Sequence, residues 1–451
     1  MTRRAEAAHA GTAQRQQGQV LALLLMLMAA LLGSLLFVFN SGQVVSAKLR
    51  LVGAADAAAY SGALAEARSL NFQSYMNRAI VANEVAIAQF VSLRSWSGYV
   101  GQLLQRAATL GTLVPPVGAV LRSISQVWNN VDRGLQRSLP LLESSASHWN
   151  IDVLSNAEYL SDAQTAATVG GLARDIAAAN VPAPGDAALG QEFGAANIVR
   201  WRRYTEGHAR VGEQRSRLRN LVMDSRDGFT RSRDWTLGVP PFVAVRKRGG
   251  TDLIGYDSWR GMDTLAVREL SLFGHRENPL AWNAAENRQR PAYARGEHGG
   301  SYRDNPRTSG YAEDELRPRN SYAGLPAYRD VRLGNGANQG RSVAPLRFDV
   351  EVHQSGRTIG TSDVVMNGAA TVVPNEDPKR VQPSYHSGQV YALSAAQVYF
   401  RRPVGRADRR PELGSLFNPY WQARLAPVSR TERAMAAAAR GGDADPFLVL
   451  P

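Results

Sequence analysis

The chain has no cysteine among its 451 residues. That excludes disulfides, thiolate zinc sites and cysteine nucleophiles together. No glycine-rich turn ends in Lys followed by Ser or Thr, so a phosphate-cradling loop is absent. No Gly-x-Ser-x-Gly elbow occurs, and no run of alternating carboxylates closes on a glycine as a calcium loop requires. The seven histidines stand at 9, 148, 208, 275, 298, 353 and 386, too scattered for a helical zinc pair. The acidic run Glu313-Asp314-Glu315 sits in a stretch too polar to desolvate a catalytic carboxylate. Pro374-Asn375-Glu376-Asp377-Pro378 has the composition of a turn. The residues thus nominate no catalytic, cofactor-binding or metal-ligating position.

One long apolar run is present. Val20 to Phe39 reads VLALLLMLMAALLGSLLFVF, without charge or proline. A helix of that length crosses roughly 30 Å of hydrocarbon. A core helix of a soluble protein carries a polar face, and this one has none. A cleaved secretory signal is the rival reading, since Val45-Ser46-Ala47 would serve as a cleavage site, but signal cores span only about 7–15 residues. Before the run stand Arg3, Arg4 and Arg15 against Glu6; after it stand Lys48, Arg50 and Asp56. Positive charge resists translocation, which predicts a cytoplasmic tail and a long C-terminal part outside the cytoplasm.

The balance of 52 basic against 39 acidic residues gives a net charge of +13. In an exported part, such charge meets anionic lipid, acidic glycans or acidic proteins rather than nucleic acid. The Arg- and Tyr-rich stretch (Tyr293, Arg295, Tyr302, Arg303, Arg307, Tyr311) is read as loop composition for the same reason.

Along the chain, GAADAAAYSGALAEA over 53–67 predicts a helix with a small-residue face open to close approach. Phe72, Met76, Ala79, Asn83, Ala86, Phe90 and Leu93 alternate steps of four and three, a heptad seam with Asn83 as its polar member. Pro115-Pro116 interrupts the helical region. Val117–Leu142 resumes it, with Val120, Ile124, Val127, Val131 and Leu135 near one face and Pro140 as its end or kink. Ile151–Ala179 predicts a further helix closing at Asn180. An Arg-rich helix is expected over 187–223, with Arg200, Arg202, Arg203, Arg210, Arg215, Arg217 and Arg219. After Asp224 glycine, proline and aromatics rise. Strands are expected at 242–245, 346–353 and 389–400, long loops over 285–340, and a short helix at 434–440.

The fold expectation is α+β. A basic tail (1–18) and a transmembrane helix (19–40) lead into an α-helical module (41–223). A mixed, strand-containing domain with long loops (224–433) and a C-terminal tail (434–451) follow.

Four stretches together resemble the TadE/TadG-like proteins of bacterial Flp (tight adherence) pilus assembly. They are Gln17-Gly18-Gln19 before the apolar run, Asp56-Ala57-Ala58-Ala59-Tyr60-Ser61-Gly62-Ala63, Asn77-Arg78-Ala79-Ile80-Val81-Ala82-Asn83-Glu84, and a C-terminal pair. That pair is Ala396 to Pro403 (AQVYFRRP) and Leu416 to Leu425 (LFNPYWQARL). The resemblance implies a single-pass protein of the bacterial inner membrane with its bulk in the periplasm. It also implies a non-enzymatic role beside other pilus-assembly proteins or pilins, with no cofactor, nucleic acid or small-molecule substrate. Two departures stand out. Pilin-like processing after Gly18 would put glutamate at the fifth mature position, where this chain has Leu23. The Asp-x-Ser-x-Ser motif of some TadG-like proteins is missing, so no magnesium site is expected. The alternative is an anchored envelope protein whose C-terminal half binds or hydrolyses glycans, recognisable by an aromatic cleft with two facing carboxylates.

Overall fold

A computed structural model describes residues 3–111, 115–181, 188–189, 191–208, 214–239, 243–271, 274–289, 302–332, 343–355, 389–407 and 412–439. Its first element is the helix α1, Arg3–Leu110, of 108 residues. Nothing in that span breaks a helix by its backbone chemistry: the first proline is Pro115. The helix is roughly 160 Å long. Asn40, Ser41 and Gly42 do not loosen it.

Two helices return along α1. α2 is Pro115–Ser144 and α3 is Ile151–Ala179, joined by a π-helical segment, Ser145–Asn150. Pro140 lies inside α2 and does not end it; the wider turn follows a few residues later. The return is antiparallel. Trp128 Nε1 donates to the Ser97 carbonyl at 3.0 Å, Asn150 to Asn83 at 3.1 Å, and the Ser161 and Ser69 hydroxyls meet at 3.2 Å.

The remaining elements are β1 (Ala188–Leu189), α4 (Gln191–Tyr204), β2 (Thr205–His208), α5 (Gln214–Asp224), α6 (Gly228–Arg231), β3 (Trp235–Val239), β4 (Val243–Ile254), β5 (Ser258–Ser271) and β6 (Gly274–Arg288). After these come α7 (Pro306–Glu315), β7 (Tyr328–Val331), β8 (Leu346–Ser355), β9 (Gln389–Phe400), β10 (Trp421–Ala426) and α8 (Arg430–Ala439). Long helices with antiparallel sheets make the class α+β.

One four-stranded sheet has the order β1-β8-β9-β10. Alternation along β8 places Leu346, Phe348, Val350 and Val352 on one buried face. They share a core with Leu51, Ala54, Ala55, Ala58, Ala59, Ala63, Ala67 and Leu70 of α1, and with Ala166, Val169, Ala173 and Ala177 of α3. The small residues of α1 let the sheet approach closely. A Cβ on Gly62 would stand 2.2 Å from the Phe348 ring, so that position has room for glycine alone.

The second four-stranded sheet, β3-β4-β5-β6, lies further along α1. Ile80, Ile87, Ala88 and Val91 share a core with Leu218, Val222, Leu253, Trp259, Ala285 and Tyr328. Tyr99 packs with Leu265 and Ala281 beyond it. Both large cores draw residues from before and after position 224, so the stretches expected as 41–223 and 224–433 fold on one another.

Two expectations need correction. The single helix over 187–223 is two, α4 and α5, with β2 between them. β2 pairs antiparallel with β7, more than 100 residues away, a partner that local periodicity cannot show. The loop region 285–340 contains the end of β6, α7 with Pro306 in its first turn, and β7. Residues 290–301 and 333–342 of that region lie outside the described residues.

Candidate functional site

The first part of the site is the apolar run. Every large apolar side chain from Val20 to Phe39 is exposed, Met26 at 74%. Leaving some fifteen such side chains in water costs on the order of 20 kcal/mol or more, so this surface demands an apolar environment. α1 is the one helix among the described residues long and apolar enough to cross a membrane. Burial begins directly after the run: Asn40 is 2% exposed, and Val44 and Ala47 pack against the first core. The Lys48 ammonium donates to the Tyr391 carbonyl, and Ser394 donates to Asp56. The first sheet is therefore tied to α1 within a few turns of the apolar run.

The second part is a line of polar side chains on α1, all facing the protein interior. Glu66, Gln73, Asn77, Glu84 and Arg94 are each at most 4% exposed, and Leu70, Ile80, Ile87 and Val91 fill the intervening heptad steps. The heptad period expected from the sequence is present, but the most buried line runs one residue away from Phe72, Met76, Ala79, Asn83, Ala86, Phe90 and Leu93. Phe72 is exposed and the others are half-buried. A reading by apolar character misses this line because half its members are polar. Asn83 finds partners nonetheless, donating to the Ala79 carbonyl at 2.8 Å and accepting from Asn150.

Three of these polar members, Asn77, Glu84 and Arg94, fasten distant segments. The Asn77 amide donates to the carbonyls of Arg329 and Leu416, both at 2.8 Å. Glu84 Oε2 accepts from Trp259 Nε1 at 3.0 Å and from the Tyr322 hydroxyl at 2.8 Å. Arg94 pairs with Glu143 of α2 at 3.1 Å, and Asn287 donates to the same carboxylate at 2.8 Å. Ser95, next along α1, donates to Asp263 at 2.7 Å, which also binds Arg233 and Lys247. Neither carboxylate oxygen of Glu66 has a hydrogen-bond partner.

Burial sets the protonation of these acids. It pushes Glu84 up to about 7, against the two hydrogen bonds that favour the charged form. Burial likewise raises Glu66, Glu158, Glu143 and Asp330. The folded chain therefore keeps a proton on Glu84 that the unfolded chain releases from about pH 4.5 upward. Stability is expected to fall as pH rises from 4.5 through 7, by on the order of 3 kcal/mol from this group alone. Thermal denaturation between pH 5 and 8 should show that slope, and Glu84→Gln should flatten it. An unchanged slope in the variant would mean that Glu84 does not titrate in this window.

The arrangement nearest to paired carboxylates lies around a cavity of about 260 Å³ between α3, α4 and β8. Its lining includes Phe193, Asn197, Phe348, Asp349 and Glu351. Asp349 and Glu351 alternate onto one face of β8. Asp349 is paired with Arg200, and burial, opposed by that guanidinium, raises it to about 6. Asn197 accepts from the Asp349 N–H at 3.1 Å and donates to its carbonyl at 2.8 Å. These bonds hold α4 on β8. No cluster of three or more His, Asp or Glu suited to a metal occurs among the described residues. Of the Arg–Tyr stretch, Tyr311 stacks on Trp282 at 5.1 Å; Tyr293 and Arg295 lie outside the described residues.

The LFNPYWQARL segment is a second point of closure. Leu416, Phe417 and Trp421 are buried. Trp421 opens β10 opposite Phe400 of β9. Asn71 of α1 holds its backbone at both ends, accepting from Trp421 N at 3.0 Å and donating to its carbonyl at 2.9 Å.

Residues 18–65 match the Tad family model, described as "Putative Flp pilus-assembly TadE/G-like". That segment is the apolar run together with the part of α1 that lies on the first sheet. The stretches at 77–84 and 396–425 that share the resemblance lie beyond it. No curated protein and no solved structure matches the chain.

Proposed function

We propose that this chain is a non-enzymatic, membrane-anchored component of Flp/Tad-type pilus assembly. Its N-terminal tail is cytoplasmic, its apolar run crosses the inner membrane once, and its bulk contacts other assembly proteins or pilins in the periplasm. The carrying observation is the match over 18–65, which coincides with an exposed apolar helix continuing unbroken into the folded part. Continuity of α1 gives the anchor a mechanical role. A proline-free helix fixes the height of both sheets above the membrane, and the buried polar line fixes their rotation about the helix. The buried acids serve that fastening in this reading, and none is assigned a catalytic step.

Two measurements test it. Extraction of the full chain from membranes should require detergent; release by carbonate would mean that Val20–Phe39 does not anchor it. A reporter that works only outside the cytoplasm, fused after Pro451, should be active. Activity of a cytoplasmic reporter at that position would reverse the topology and remove the pilus reading.

A further inference from the structure

The strand β3 ends the second sheet on one side, and among the described residues no strand pairs with its outer edge. Every one of its residues, Trp235 to Val239, is exposed. Trp235, Leu237 and Val239 alternate onto the face of the sheet that meets α1, at 48, 69 and 69% exposure. Their cross-strand partners are Lys247, Val245 and Val243, and Val245 packs with Tyr99 and Leu265. A sheet edge is ordinarily blunted by a charge or a proline within the strand, or by a covering segment. β3 contains neither charge nor proline.

The opposite face of the same sheet is basic. Arg246 and Arg248 stand two residues apart on β4, and Arg268 of β5 is opposite Ala244, diagonal to Arg246. Arg246 thus has a like charge on either side, with backbone positions about 7 Å away. The acids of this face are engaged elsewhere. Asp234 accepts from the Gly249 N–H at 3.0 Å and stands 4.0 Å from Arg248. Glu277, opposite Arg268, accepts from the N–H and the hydroxyl of Thr308 in α7. Arg246 Nε is buried without a hydrogen-bond partner, and burial together with Arg268 and Arg248 pushes its pKa down. Arg248 leans toward the open edge: its Nη2 donates to the Thr236 hydroxyl of β3 at 3.3 Å.

These two features select what can pair with β3. Lipid cannot satisfy an open row of backbone N–H and C=O groups. A second copy, joined edge to edge, would set one group of arginines against another on the same side of the joined sheet. We infer that the outer edge of β3 receives an extended segment of a partner protein in which acidic and apolar residues alternate. Such a strand lies about 5 Å from β3 and about 10 Å from β4, and its backbone continues the sheet. Its acids lie on the side of Thr236 and Gly238, where small residues leave the path to Arg248 and Arg246 open. Its apolar residues lie beside Trp235, Leu237 and Val239. The inference stands on the second sheet alone and does not depend on the anchored reading.

The probe is a fluorescein-labelled peptide, Glu-Val-Glu-Val-Glu-Val-Glu, titrated with the detergent-solubilised full chain and read by anisotropy. It should bind, and more weakly as salt rises. Arg246→Glu should weaken it by about tenfold or more and should tighten binding of the counterpart Lys-Val-Lys-Val-Lys-Val-Lys. Arg246→Gln should give an intermediate loss. Both variants should melt no lower than the native chain, since each relieves repulsion at a side chain without a counter-ion, and this separates lost binding from lost folding. Leu237→Asp, on the apolar side of the edge, should also weaken binding. The fully N-methylated peptide keeps the side chains but cannot donate to β3, and it should not bind. No binding at about 1 mM, undiminished binding to Arg246→Glu, or equal binding of the N-methylated peptide would each overturn the inference. So would binding of polygalacturonate that Arg246→Glu abolishes while the peptide fails to bind, because the arginines would then serve an acidic glycan.

Discussion

Trp421→Ala should destabilise the full chain by roughly 3–5 kcal/mol. The indole is 2% exposed and lies where three parts of the fold meet. Its ring packs edge-on against Phe400 at 5.2 Å and Tyr204 at 5.9 Å. Its backbone is bridged by Asn71 of α1. Truncation leaves a cavity beneath the last strand of the first sheet, and rigid neighbours on α1 and α4 restrict its collapse. Trp421→Phe retains most of the ring area and should cost much less. Calorimetry on the detergent-solubilised chain is the measurement. A melting temperature unchanged in Trp421→Ala, with pilus formation lost, would make LFNPYWQARL a partner surface instead of a closure.

In the sequence this closure is only a cluster of aromatics, Phe417, Tyr420 and Trp421, around Pro419, and the structure gives it a place on α1. Local signals served well where the local pattern decides the element. Ile151–Ala179 is α3 at both ends, and 389–400 is β9. They served less well where a distant partner decides. β2 interrupts a helical pattern because β7 pairs with it. The expected strand at 242–245 extends to Ile254 because β5 pairs along its whole length. The arrangement of the two cores was hidden for the same reason. Strands between 346 and 426 lie on residues 51–70, beside the apolar run of α1, while strands between 235 and 288 lie further along the helix.

The polar line of α1 and the apolar face of α2 show one common cause of misreading. Apolar periodicity is ordinarily taken as the buried face of a helix. In α1 the deepest line alternates Leu70, Ile80, Ile87 and Val91 with Glu66, Gln73, Asn77, Glu84 and Arg94, so its signal is diluted and the neighbouring seam looks stronger. In α2, Val120, Ile124, Val127 and Val131, near one face as the sequence places them, are exposed, because α1 receives α2 partly through polar groups such as Arg94 and Ser97. Buried polar groups there specify how the helices dock, and the apolar face remains outside.

That docking carries the second large effect. Arg94→Met should destabilise the chain by roughly 3–5 kcal/mol. Arg94 and Glu143 are 4% and 0% exposed and 3.1 Å apart, so removing the guanidinium leaves a buried carboxylate with Asn287 as its remaining hydrogen-bond donor. Burial already raises Glu143 and Arg94 is the chief force opposing it, so the variant should take up a proton at Glu143. Its deficit should therefore shrink as pH falls toward 5. The double variant Arg94→Met, Glu143→Leu removes the stranded charge and should recover most of the loss, leaving Asn287 short of one acceptor. If instead both single variants and the double variant lose the same amount, the pair contributes packing alone, and its charge does not hold α2 in place.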